Sequence, residues 1–184
     1  MTFPCNSFVL ELDDAELTAI IRQSTAKRIS EKRVTFLEEM VTLAQPLPEY
    51  EILLSIPGIT ETTATSIIGE LGDIRQFHSA NQINALISID LSHYESGDFL
   101  AKEHITKRGN PYAIKVLFKC IHNIASAGYT NPCHIADFYE KRKRQSQVTS
   151  TKPHTIASTH RLIRTMYYLI THNKLYDYTS TQNR

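Results

Sequence analysis

Apolar residues in this chain return every three to four positions and almost never every second one. That period belongs to helices, where positions i, i+3, i+4 and i+7 share a face. Near the C-terminus, Ile156, Leu162, Ile163, Met166, Tyr167, Leu169 and Ile170 fall on one side of a helix spanning about 155–173. Near the start, Leu17, Ile20, Ile21, Ile29, Leu37, Met40 and Val41 form a second stripe, interrupted by Lys27-Arg28 and Lys32-Arg33. It predicts one long helix over 13–44, with Asp13 and Asp14 suited to its positive N-terminal end. Such a helix is long for a globular fold and implies a coiled-coil-like partner. Gln45-Pro46-Leu47-Pro48 ends it, because proline removes a donor and disfavours helix in the residue before it.

Shorter helices are predicted over 49–55, 61–71 (closed by Gly72), 79–88 and 132–144. Another runs from an Asn110 cap, with Pro111 in its first position, to about Ala127. The stretch from Ile89 to Arg108 has no sustained period and reads as loop with at most short extended pieces; Gln145–Pro153 reads as a polar connection. The fold class is therefore all-α: a long N-terminal coiled-coil-like helix over 1–48, a compact helical domain over 49–178, and a tail over 179–184.

A chain of 184 residues is long enough for a core without disulfide staples. Cys5, Cys120 and Cys133 cannot all pair, and the start carries no basic, apolar leader, so the expected setting is cytoplasmic. No apolar run reaches the ~18 residues of a membrane helix, and no membrane partner is expected. The net charge of +1 hides an asymmetry. Residues 1–100 hold 6 Lys and Arg against 15 Asp and Glu; residues 101–184 hold 14 against 4. A basic half suits a polyanion, with salt-sensitive contacts, or simply an acidic neighbour.

Leu54-Ser55-Ile56-Pro57-Gly58-Ile59-Thr60, followed by Ala64 and Ile67-Ile68, looks like a helix-hairpin-helix. Glycine allows a sharp turn and close approach, and the amides that open the next helix suit a phosphate. Pro57, Gly58, Ile59 and Thr60 are therefore candidate DNA- or RNA-binding residues, although the same spacing fits a plain turn and Glu61, Glu70 and Asp73 are close in sequence. A second candidate is Lys107-Arg108-Gly109-Asn110, a basic turn that feeds a helix start. Ser96, before Gly97, is a candidate nucleophile or an ordinary turn residue.

Other features are less specific. Cys120, His122, Cys133 and His134 match no standard zinc spacing. Lys141–Arg144 complements a helix end or forms a phosphate patch. His154 and His160 lie in the basic half, where they could approach nucleic acid or join polar networks. Tyr167 and Tyr168 read as core and rim, and no phosphate-loop or dinucleotide fingerprint is present.

Several of these stretches occur together, in order, from about Leu53 to Tyr176: Ser55-Ile56-Pro57-Gly58-Ile59 with Thr63-Ala64, Glu70-Leu71-Gly72-Asp73-Ile74 with Phe77, Tyr94-Glu95-Ser96-Gly97, Ile105-Thr106-Lys107-Arg108-Gly109-Asn110-Pro111-Tyr112, and Asn131-Pro132 leading to Tyr139. The span resembles the C-terminal domain of bacterial insertion-sequence transposases of the 110/116/902 family, recombinases guided by a bridge RNA. The resemblance implies DNA cleavage and rejoining in transposition, with Ser96 as nucleophile and Lys107 and Arg108 holding phosphate. It implies Mg2+ bound by the carboxylates of an N-terminal RuvC-like domain that this sequence does not include. The implied partners are DNA, guide RNA, and a second copy or a full-length transposase joined through residues 13–44. Departures from the family pattern are Ser88-Ile89 for Gly-Leu, Leu91 for Pro, and Ala113 and Ile114 for Leu and Arg. With the RuvC-like half missing, little or no transposition is expected from this chain alone. The other readings of the residues are a non-catalytic nucleic-acid-binding module and a dimerising remnant.

Overall fold

In a computed structural model, the described residues are 31–89, 91–92, 95–96, 99–100, 104–105, 109–145 and 150–179. Backbone contacts divide the chain into residues 1–43 and residues 44–184. In the first unit the described helix is α1, Glu31–Ala44, which presents Phe36 and Leu43 to solvent. It matches the end of the helix predicted over 13–44; residues 13–30 lie outside the described residues.

The second unit carries α2 (Pro48–Leu54), α3 (Glu61–Leu71), a 3-10 turn (Ile74–Gln76), α4 (Ala80–Leu86), α5 (Pro111–Ala127), α6 (His134–Gln145) and α7 (Lys152–Thr171). The class is helical, as the apolar period requires. Between α4 and α5 run four two-residue strands in two antiparallel pairs. Leu91 and Ser92 face Ile105 and His104, and Glu95 and Ser96 face Leu100 and Phe99. These are the short extended pieces expected in a stretch without periodicity.

α7 organises the unit, packing against α2, α4, α5, α6 and the 3-10 turn. Its C-terminal half buries Leu162, Ile163, Met166, Leu169 and Ile170. Its N-terminal half buries Thr155, Ser158 and Thr159 instead. The Thr155 and Thr159 hydroxyls donate to carbonyls one turn back, at Thr151 and Thr155, so these two enter the core satisfied, whereas the buried Ser158 hydroxyl has no hydrogen-bond partner among the described residues. α7 begins about three residues before the predicted start, because Pro153 falls in its first turn, where no amide is needed. α5 buries Ala113, Leu117, Cys120, Ile121 and Ile124 along one stripe. Leu53, Ile56, Ile67, Ile74, Ile83, Ile87 and Ile135 fill the remaining core. At its edge the buried carboxylate of Glu49 pairs with Arg75, which also approaches Asp73 at 3.6 Å.

Candidate nucleic-acid interface

Two of the predicted sites lie at opposite ends of α5. The turn between α2 and α3 brings Gly58, with φ of +88°, directly against the far end of α5. A Cβ at this position would lie 2.6 Å from the Cα of Ile124 and 2.8 Å from its nitrogen. The close approach that the glycine permits is therefore made to a helix of the same unit. Ile59 is buried, and Pro57 is partly covered. Thr60 is exposed and caps α3, its hydroxyl accepting from the Thr63 amide at 3.4 Å and lying 3.2 Å from the Thr62 hydroxyl. The surface left on this hairpin is the N-terminus of α3, bordered by Glu61.

Gly109 and Asn110 sit at the near end of α5. A Cβ on Gly109 would meet the carbonyl oxygen of Leu86 at 2.4 Å. The Asn110 amide donates to that same carbonyl at 3.0 Å. Its side chain is used at both ends: Oδ1 accepts from the Tyr112 and Ala113 amides, and Nδ2 donates to Glu70 Oε2 at 2.7 Å. Asn110 therefore joins α5 to the end of α3 and to the end of α4. Pro111 has no amide, and the next two are capped, so the donors expected to await a phosphate at this helix start are already occupied. Lys107 and Arg108 lie outside the described residues. Ser96 is placed by backbone alone, paired with Phe99. From Asn110 to Ile124 the helix rises by about 20 Å, so the hairpin and the Gly109-Asn110 junction do not form one site.

A different face gathers charge and aromatic rings. A groove of about 1150 Å³ runs between α6, α7 and the segment after α7. Arg161, Arg164 and Lys174 line it, with Phe138, Tyr168 and Tyr176. The Arg161 guanidinium lies over the Phe138 ring, 4.8 Å from its centroid, and Arg142 approaches the same ring at 5.9 Å. Phe138 thus links the basic run Lys141–Arg144 on α6 to the arginines of α7. Tyr168 stacks on His172, with 4.3 Å between centroids.

The floor of the groove is a fixed network. The Tyr176 hydroxyl accepts from the His134 amide at 3.0 Å and lies 2.7 Å from His134 Nδ1. His134 Nε2 lies 3.2 Å from Thr165 Oγ1, whose own proton goes to the Arg161 carbonyl. The arrangement is satisfied by a neutral imidazole: Nε2–H donates to Thr165, and Nδ1 accepts from Tyr176. Burial and then the Arg161 guanidinium hold the His134 pKa below its usual value, against the opposing pull of Asp137. Burial raises the pKa of the Tyr176 phenol, so it stays protonated. The Tyr176 amide donates to Ser55 Oγ at 2.8 Å, fastening the post-α7 segment to the end of α2.

The other candidates are structural in this fold. Cys120 and Cys133 are buried free thiols, and burial with the neighbouring Cys133 pushes the Cys120 pKa up to about 12. His122 meets Phe118 and Tyr139 edge-on. His154 is buried, which removes it from any surface contact with nucleic acid. Among the described residues no three His, Cys, Asp or Glu side chains gather to hold a metal, and no helix is long and apolar enough to cross a membrane. The sequence reading missed Arg161, Arg164 and Lys174. Their signal is faint: an Arg-x-x-Arg-x-x-x-Tyr spacing that puts Arg161, Arg164 and Tyr168 on one helix face.

Residues 50–140 match the model of the family described as Transposase IS116/IS110/IS902 family. A stretch of 73 residues is 36% identical to the transposase for insertion sequence element IS1111A of Coxiella burnetii (strain RSA 493 / Nine Mile phase I). That stretch is 40% of this chain and 20% of that protein, so the match spans about a fifth of the curated relative's length.

Proposed function

Because residues 50–140 carry the domain of the IS116/IS110/IS902 transposase family, we propose that this chain acts in the transposition of an insertion sequence, binding DNA and contributing the serine that cuts and rejoins it. The observation that carries this reading is the family match, which spans the hairpin, the Ser96 segment and the start of α5. Support comes also from the basic C-terminal half and from the exposed start of α3.

Ser96 Oγ attacks the phosphorus of a phosphodiester. The new Ser–O–P bond forms as a sugar oxygen leaves, the serine proton passes to a base, and the ester keeps the energy needed for rejoining. Lys107 and Arg108 hold the phosphate, and the helix-hairpin-helix at Pro57–Thr60 contacts a backbone phosphate through the amides that open α3. Mg2+ would supply charge stabilisation. The described residues do not form a set for it, with Glu70 bonded to Asn110 and Glu49 to Arg75; we assign it to a separate carboxylate-bearing domain. A guide RNA and a second copy or full-length transposase, joined through residues 13–44, complete the assembly in the cytoplasm, and the chain alone is inactive.

The test incubates the chain with a full-length transposase of the family and end-labelled element DNA, then resolves the products under denaturing conditions. The expected result is a covalent adduct on this chain that Ser96→Ala abolishes while DNA binding persists. An adduct that survives Ser96→Ala, or none in the complete mixture, overturns the nucleophile assignment. Unchanged DNA binding in the second case would leave a non-catalytic binding module.

A further inference from the structure

We propose that the groove between α6, α7 and the segment after α7 is a binding site for single-stranded nucleic acid, read as backbone charge plus base stacking. The inference rests on the transposase reading for the class of partner but not for its place, since the groove is lined by none of the hairpin residues Pro57–Thr60 nor by Gly109 or Asn110, although His160 is among its lining residues.

Three cations line the groove against one carboxylate, Asp177. Asp177 Oδ1 accepts from the Thr179 amide and hydroxyl, which directs that oxygen toward its own turn. A guanidinium group presents its donors in a planar fork that matches an anion such as phosphate. Arg161 rests on the Phe138 ring, its guanidinium carbon 4.8 Å from the ring centroid. Because Phe138 also receives Arg142, the positive surface continues along α6 beyond the groove.

The aromatic surface decides which polyanion fits. Tyr168 is 49% exposed although it already stacks on His172, and Leu175 beside it is 62% exposed. A duplex turns its base faces inward and has no use for such rings, whereas every base of a single strand offers a face to stack. An acidic peptide would satisfy the arginines but not the ring. Along α7, Arg161 and Tyr168 stand about 10 Å apart, so one strand can lay phosphate on the arginines and a base on the tyrosine. The neutral, fully bonded His134–Tyr176–Thr165 network forms a rigid floor, which keeps these groups in place before the strand arrives.

The test uses the full chain and fluorescence anisotropy with a labelled single-stranded oligonucleotide, a duplex of the same sequence, and polyglutamate as competitor. Arg161→Ala with Arg164→Ala should flatten the salt dependence of single-strand binding by about 0.7 for each phosphate no longer neutralised. Tyr168→Ala should weaken single-strand binding roughly 5- to 150-fold, the loss of one stacked base, while Tyr168→Phe retains it and duplex affinity hardly moves. These side chains are exposed, so unchanged thermal melting verifies that the variants fold. The proposal is overturned if the variants bind the single strand like the parent, if Tyr168→Ala affects both oligonucleotides equally, or if polyglutamate competes as well as the single strand. Loss of the groove effect with duplex binding intact sinks this inference alone; no binding to any nucleic acid at low salt sinks DNA binding by this chain as well.

Discussion

Gly58→Ala separates packing from phosphate binding at the hairpin. The glycine has φ of +88°, and an alanine Cβ would meet backbone atoms of α5: Ile124 Cα at 2.6 Å, Ile124 N at 2.8 Å and the Asn123 carbonyl carbon at 2.9 Å. None of these atoms belongs to a flexible side chain, so the α2–α3 turn must lift away from α5. The left-handed backbone costs an L-residue about 1–2 kcal/mol, and forcing a methyl into a packed contact about 1–3 kcal/mol. Together they predict a loss of about 2–5 kcal/mol. At about 2–4 °C per kcal/mol for a chain of this size, the melting temperature should fall by about 4–20 °C. Gly69→Ala is the control: it lies within α3, and its Cβ would meet nothing within 4 Å. That substitution should raise stability by up to about 1 kcal/mol. Thermal melting followed by circular dichroism reads both variants, and duplex binding is measured well below either transition. If Gly58→Ala melts with the parent but loses DNA binding, the glycine serves a ligand and the packing argument fails.

Asn110→Ala removes the cap of α5 and should cost about 0.5–2 kcal/mol; Asn110→Asp keeps the cap acceptor but sets a carboxylate against Glu70, a penalty that should shrink on acidification of the melting buffer. Tyr176→Phe strands both the His134 amide and Nδ1, for an expected loss of about 1–3 kcal/mol in denaturant unfolding. His134 has a lowered pKa in the folded state, so the unfolded chain takes up its proton first; the resulting stability is full above the unfolded value of ~6.5 and is lost as pH falls from there through the lower folded value, and His134→Gln should flatten that slope in melts across the range. Ser88 holds φ of +53° at the place where the family resemblance has glycine, so Ser88→Gly should stabilise the fold by about 1 kcal/mol in the same melts.

Helices were legible wherever one apolar stripe decided them. The α3 boundaries follow from Thr60 and Gly72, and the start of α5 from Asn110-Pro111. The apolar stripe starts α7 late because Lys152, Pro153 and the buried hydroxyls of Thr155, Ser158 and Thr159 carry no apolar signal, although threonines that bond back along the helix enter a core readily. Gly58 was legible as a close approach but not as to what: the surface it meets is Ile124, 66 positions away in sequence. The same limit hid the use of the α5 start, since nothing local to Asn110 announces Glu70 as its partner. The groove was invisible for a related reason. Phe138, Arg161 and Lys174 belong to three segments, and only the fold assembles them.

The most direct measurement is the affinity of the purified chain for labelled duplex DNA across a salt series. A transposase segment that grips the DNA backbone predicts tight binding at low salt, with log K falling linearly in log salt by about 0.9 for each phosphate neutralised. No binding at low salt, or an affinity indifferent to salt, would contradict the account.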